Sequence, residues 1–230
     1  MITADAVMAV LAGVRDPEID EPLTDLGFVA GVDVDGSRVD VRLRLPTYFC
    51  APNFAYLMAA DALEAVRALP GVVDATVTLD DHFASGEING AIAGGGRFAD
   101  AFPGESAGGL GELRALFTRK AFTARQSRMC DRRLRAGRTF DELAALALRD
   151  LDDDPDVTRC IALRRQLGID ASTGAPAFVL ADGSALEASG LERFMRIARL
   201  VRLSLEGNAG LCRSLLATRY GVPGPGDATA

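Results

Sequence analysis

The sequence is poor in the residues that most metal and hydrolytic sites need. It has one histidine, His82, among 230 residues. That excludes the multi-histidine zinc, copper and non-haem iron sites, including His-Glu-x-x-His and the two-histidine facial triad. Four cysteines are too few for a disulfide scaffold, and they form no Cys-x-x-Cys pair. There is no Gly-x-x-x-x-Gly-Lys-Ser/Thr, so no P-loop is expected. No apolar run approaches the roughly 18 residues needed to span a bilayer. The first residues, Met-Ile-Thr-Ala-Asp, lack the basic region of a secretory signal. A cytoplasmic protein is the expectation.

What is present is an ordinary globular composition, 49% apolar and 6% aromatic, with a formal net charge of −7. The charge is uneven. Residues 1–100 hold 16 acidic and 6 basic side chains, whereas residues 101–230 hold 16 and 19. Two domains with different partners are therefore expected.

The first segment reads as α+β. Val7, Val10, Leu11 and Val14 recur on one helical face behind Thr3 as N-cap. Pro17 ends that helix in an acidic loop, Asp16 to Pro22. Phe28 to Val34 reads as a strand, Asp35-Gly36 as a tight turn, and Val39 to Leu45 as a second, alternating strand. Pro52 opens a helix that closes near Pro70-Gly71, and Val73, Ala75, Val77 and Leu79 alternate as a third strand. Helix, β-hairpin, helix and strand make a small two-layer sandwich over residues 1–85.

Residues 86–111 contain nine glycines and no apolar periodicity, and are expected to be a flexible linker. Residues 112–220 read as a mostly α-helical domain, interrupted at Asn208-Ala209-Gly210, and residues 221–230 as a frayed tail. Thr139 with Glu142 forms a capping box. Ala177 to Leu186 suggests a short hairpin around Asp182-Gly183.

Several motifs lack their context. Gly104-Glu105-Ser106-Ala107-Gly108 matches a nucleophile elbow, but no strand precedes it and no histidine follows. Asp150, Asp152, Asp154 and Asp156 alternate like a calcium loop, but Pro155 and Ile161 stand where glycine and glutamate are required. Arg119 to Arg138 carries eight basic residues and one acid, Asp131. In an acidic chain without aromatic interleaving, that stretch fits a solvated or partner-facing helix better than a nucleic-acid face.

Cys50 is the residue that survives this scrutiny. It precedes Pro52 at a helix N-terminus, where unpaired N–H groups and the dipole place partial positive charge. Such positions favour thiolate, the form that ligates iron or attacks electrophiles. Thr47 can add a hydroxyl hydrogen bond, and Asp16 and Glu18 are expected near the same end. A thiol enzyme would also need a base, and His82 is the only histidine. Cys160 falls on an apolar helical face. Cys130 lies in the arginine-rich stretch, where positive charge favours thiolate, and Cys212 is ambiguous.

The succession Asp16-Pro17-Glu18-Ile19, Leu23-Thr24-Asp25-Leu26-Gly27-Phe28-Val29, Thr47 with Cys50, and Ala68-Leu69-Pro70-Gly71-Val72 resembles the SufT/PaaD-like family of iron–sulfur (metal–sulfur) cluster assembly domains. The resemblance covers residues 3 to 90. It implies a non-enzymatic maturation factor that works with the assembly machinery and helps deliver a cluster to an apo-client protein, such as a metal-dependent oxygenase. It implies that Cys50 is the metal ligand, with Asp16, Glu18 and Thr47 as supporting residues. Cys130 and Cys212 are further candidate thiols. Nucleic acid and membrane are not expected partners. Two departures stand out: the family often reads Gly-Cys-Pro where this chain has Cys50-Ala51-Pro52, and PaaD-like members carry a cysteine-rich C-terminal module that is absent here. One cysteine cannot supply the four ligands of a usual cluster. Either a homodimer shares the cluster with outside ligands such as glutathione, or Cys50 holds it transiently. The alternative is a metal-free adaptor or chaperone in which Cys50 only packs.

Overall fold

The computed structural model describes residues 1–103 and 109–221. The nucleophile-elbow match at 104–108 and the tail at 222–230 lie outside the described residues. The chain divides into two compact units, Met1–Leu113 with Asn208–Ala230, and Arg114–Gly207.

The first unit begins with α1 (Ala4–Leu11), where Thr3 Oγ1 accepts the Ala6 amide as its N-cap. Strands β1 (Val29–Asp35) and β2 (Arg38–Leu43) pair antiparallel across the Gly36 turn. Helix α2 (Pro52–Arg67) then crosses to β3 (Asp74–Leu79), which pairs parallel to β2, so the sheet order is β1-β2-β3. The alternation read from Val39 to Leu43 points Val39, Val41 and Leu43 into the core, with Ala75, Val77 and Leu79 beside them on β3. Ala55, Met58, Ala59, Ala62 and Val66 of α2 cover that face. The two-layer sandwich is as the sequence implied.

Gly27 explains why the Leu23 to Val29 run turns where it does. Its φ is +74°, and a Cβ there would lie 3.0 Å from Leu216 Cδ2. Both the left-handed backbone and the close approach require glycine.

The segment 86–111 is not a flexible linker over its described part. Helix α3 (Ser85–Ala93) packs on the sheet, with Ile88 (0% exposed) and Ile92 in the core. Asn89 bonds the backbone of Leu79 twice, accepting from its N–H and donating to its C=O. A short α4 (Phe98–Ala101) buries Phe98 against Tyr56. The glycines obscured a two-residue apolar signal, Ile88 and Ile92 at i and i+4. That pair suffices once a sheet is there to receive it.

The second unit is helical. Its elements are most of α5 (Gly109–Arg135), α6 (Phe140–Ala144), a 3₁₀ turn at Leu148–Asp150, α7 (Pro155–Gln166) and the first part of α8 (Ala188–Tyr220). The Thr139–Glu142 capping box is present. The expected hairpin is a single bridge, Val179 to Ala185. Gln126 binds Val179 as a strand would, through both its amide O and N at 2.9 Å. Buried Arg164 donates to the carbonyls of Asp170, Pro176 and Ala177.

Two polar motifs neutralise each other here. Arg125 and Arg132 donate to Asp156, and Arg132 also grips Asp154, the N-cap of α7. Arg199 and Arg202 pair with Asp131. The middle of the basic run, Arg125, Arg128 and Arg132, is therefore held in an ion-pair network with Asp154 and Asp156.

Helix α8 is continuous through Asn208-Ala209-Gly210, where an interruption was expected. Ala209 is fully buried, and packing outweighs the roughly 1 kcal/mol cost of an interior glycine. Residues 208–220 of this helix belong to the first unit, not to the 112–220 domain anticipated from sequence. If α3 is part of the core, Ile88→Ala should destabilise the first unit by about 3 kcal/mol in urea unfolding. A change below about 0.5 kcal/mol would be that of an exposed linker position.

Candidate functional site

Cys50 closes the loop between β2 and α2, just ahead of Ala51, the N-cap of α2. Its side chain is half-buried against the sandwich core. Thr47 Oγ1 lies 3.3 Å from Cys50 Sγ, so the expected hydroxyl contact forms.

The backbone of this loop is held from below by His82, a residue that sequence reasoning left without a role. His82 is 2% exposed. The Ala84 amide donates to its Nδ1 at 3.2 Å, so that nitrogen carries no proton. Nε2 must then carry the hydrogen and donate it to the Cys50 carbonyl at 2.7 Å. With both ring nitrogens committed to backbone, His82 is not a base for the Cys50 thiol. Asp81, just before it, has φ +52°, one of two non-glycine residues in the left-handed region among the described residues. The other is Asp20, in the acidic loop. Such strain recurs where a loop must aim a side chain.

Asp16 is 8% exposed and organises the acidic loop. Its Oδ1 accepts the amides of Glu18 at 2.8 Å and Ile19 at 3.1 Å. Burial raises its pKa from 3.8 to about 6 against those two hydrogen bonds, and the Glu18 and Glu21 charges push the same way as burial. Glu18 Oε1 accepts from Asn208 Nδ2 at 3.4 Å.

The remaining thiols separate into two groups. Cys130 and Cys160 lie in the core of the second unit. Burial first, then Asp131, pushes Cys130 up to about 12, against Arg199 and Arg133, which corrects the expected thiolate. Burial likewise pushes Cys160 up to about 11. Cys212 is different. It lies on the part of α8 that returns to the first unit, half-buried against the same core as Cys50. Burial raises it to about 12, and the charges of Asp16, Cys50 and Glu18 add to that effect. Cys50, Asp16, Glu18 and Cys212 thus share one neighbourhood of the first unit. Among the described residues, no group of three or more His, Cys, Asp or Glu side chains is arranged to hold a metal ion.

Around Cys50 stand three exposed aromatic rings. Phe49 is 77% exposed, with Tyr48 at 5.0 Å and Phe83 at 5.9 Å between ring centroids.

With this geometry in hand, comparison with known proteins is informative. Residues 4–79 match the family model described as iron–sulfur cluster assembly protein. An uncharacterized protein of Methanocaldococcus jannaschii is 33% identical over 90 residues, which are 39% of this chain and 93% of that protein. Through its N-terminal domain, the chain belongs to the iron–sulfur cluster assembly protein family. It is also 34% identical over 103 residues to an iron–sulfur cluster carrier protein of Synechocystis. That match covers 40% of this chain and spans only 29% of the carrier protein's length. No solved structure matches the chain. Cys50, Thr47, Asp16 and Glu18 all fall within the matched residues, whereas Cys212 and His82 fall outside them.

Because the folded chain binds the Asp16 proton more tightly than the unfolded chain, this group favours folding fully below pH 3.8, and the contribution disappears as pH rises to about 6. Asp16→Asn keeps an oxygen for both amides but cannot titrate. Between pH 4 and 6, wild type should lose on the order of 2 kcal/mol relative to this variant. Parallel pH-dependent melting curves for the two proteins would contradict the assignment.

Proposed function

We propose that this chain takes up an iron–sulfur cluster at Cys50 and passes it to an apo-client protein, without catalysing a reaction of its own. The observation that carries this reading is the Cys50 thiol itself. It is held in a fixed loop by Thr47 and His82, half-open to solvent, and lies inside the residues matched to the cluster assembly family. Its donor set fits a cargo site better than a resident one. A soft thiolate suits iron, and a single cysteine leaves most positions to outside ligands, so release is easy. Those ligands come from small thiols or from a second copy of the chain. All four cysteines are free thiols, which suits a reducing cytoplasm.

The second unit is the part we assign to client recognition. Ile197, Leu200 and Leu203 of α8 stand exposed on it, and large exposed apolar side chains in a row favour a protein partner. A metal-dependent oxygenase is the client class suggested by the PaaD-like resemblance of the first 90 residues. A metal-free adaptor is the second reading. The exposed Tyr48, Phe49 and Phe83 favour it, since they would dock a partner whether or not Cys50 binds iron.

Anaerobic reconstitution with iron and sulfide tests the two readings. Wild type should gain visible charge-transfer absorption and lose it to an added apo-ferredoxin. Cys50→Ser should do neither. If Cys50→Ser loads and transfers like wild type, the carrier reading fails and the adaptor reading stands.

A further inference from the structure

Residues 208–220 of α8 lie across the loops that carry the Cys50 site. At one end, Asn208 donates to Glu18 and Arg213 pairs with Glu21, both in the acidic loop. At the other end, Arg219 donates to the Leu45 carbonyl at 3.2 Å and the Asp81 carbonyl at 2.7 Å. Leu45 leads into the Thr47 to Cys50 loop, and Asp81 precedes the histidine that holds Cys50. Tyr220 adds a bond from its hydroxyl to Asp81 at 3.2 Å. The helix is therefore tied to both flanks of the thiol loop and to the acidic loop. Cys212 is one turn beyond Asn208, between the two residues that tie α8 to the acidic loop, Asn208 and Arg213. It shares the inward face of α8 with buried Ala209 and Leu216, and it packs on the same core as Cys50.

We propose that Cys212 is a second thiol ligand of the Cys50 site, so that the two sulfurs hold one iron of a cluster and outside thiols complete the other. This rests on the cluster-carrying reading above. A cluster iron bridged by sulfides takes thiolates at its remaining positions, so two cysteines can satisfy one iron without a third protein ligand. That agrees with the absence of any three-ligand group among the described residues. Binding is a ligand exchange in which each Cys S–H becomes Cys S–Fe. The Fe–S bond to a small thiolate breaks, and that thiolate leaves with the cysteine's proton, with no change in iron oxidation state. Asp16 and Glu18 make the neighbourhood anionic. A cation that replaces the thiol proton is favoured there, and a coordinating metal deprotonates a thiol outright. The second iron, held by small thiols alone, is the end open to a client.

The assignment also gives the C-terminal helix a role in the site. It brings to the assembly domain a ligand that the domain's own matched residues do not contain. Cys130 and Cys160, enclosed in the other core, do not compete.

The test uses the full chain, with glutathione as the outside thiol. Wild type, Cys50→Ser, Cys212→Ser and Cys130→Ala are reconstituted anaerobically, and far-UV circular dichroism checks that each is folded. Cys212→Ser should retain about a tenth or less of the wild-type cluster after gel filtration, and Cys130→Ala should retain most of it. Independently of iron, brief diamide treatment of the apo-protein should link Cys50 to Cys212 in one peptide pair by mass spectrometry. If Cys212→Ser loads like wild type while Cys50→Ser does not, the second-ligand assignment is overturned and the carrier function stands. If Cys50→Ser also loads like wild type, the carrier reading itself fails. If Cys212→Ser is unfolded, Cys212→Ala and the diamide link decide: a folded alanine variant at full loading, or no link, overturns the assignment.

Discussion

The carbonyl of Cys50 accepts the Nε2–H of His82 at 2.7 Å. That hydrogen is on Nε2 because the Ala84 amide occupies Nδ1. A buried ring with both nitrogens engaged has one tautomer and one orientation, so it fixes the backbone above it. The thiol then has a defined place between Thr47 and the sandwich core. The Phe83 amide, donating to the Tyr48 carbonyl at 3.1 Å, ties the same loop to the segment that carries His82. The left-handed Asp81 that aims the ring, and the Arg219 that binds the Asp81 carbonyl, extend the same constraint into α8.

This support also commits both ring nitrogens of His82 to backbone groups. A nucleophilic cysteine is often activated by a base within reach of sulfur. Here the chain's only histidine is used up on backbone. The partner of Sγ is a threonine hydroxyl. A positioned, reachable thiol without a base suits ligand exchange with a metal–sulfur cargo, which needs a nucleophile only in the sense of a Lewis donor. In the acidic loop, Asp16 is turned inward onto two amides of its own loop.

Local features of the chain were legible in the sequence, and long-range ones were not. Thr3 as a cap, the Asp35-Gly36 turn, Pro52 at the start of α2 and the alternation of β2 and β3 are each decided by neighbours within a few residues. The short run of motifs around Asp16, Gly27 and Cys50 was enough to point to the family. Helix α3 was missed because its apolar signal is two isoleucines among glycines, and the sheet beneath supplies the rest. The return of α8 to the first unit was missed for a related reason. Ala209, Cys212 and Leu216 have the spacing of any helical core face, and nothing in that spacing says which core they enter. The arginine-rich run misled in the opposite sense. Its charges looked available until the fold brought Asp154 and Asp156 to Arg125 and Arg132.

Iron K-edge X-ray absorption on the anaerobically reconstituted chain addresses the metal–thiol bond at Cys50 most directly. An all-sulfur first shell with an iron–iron scatterer in wild type, both lost in Cys50→Ser, is the expected outcome. An oxygen- and nitrogen-dominated shell in wild type, or a sulfur shell unchanged in Cys50→Ser, would show that this thiol does not carry the cluster.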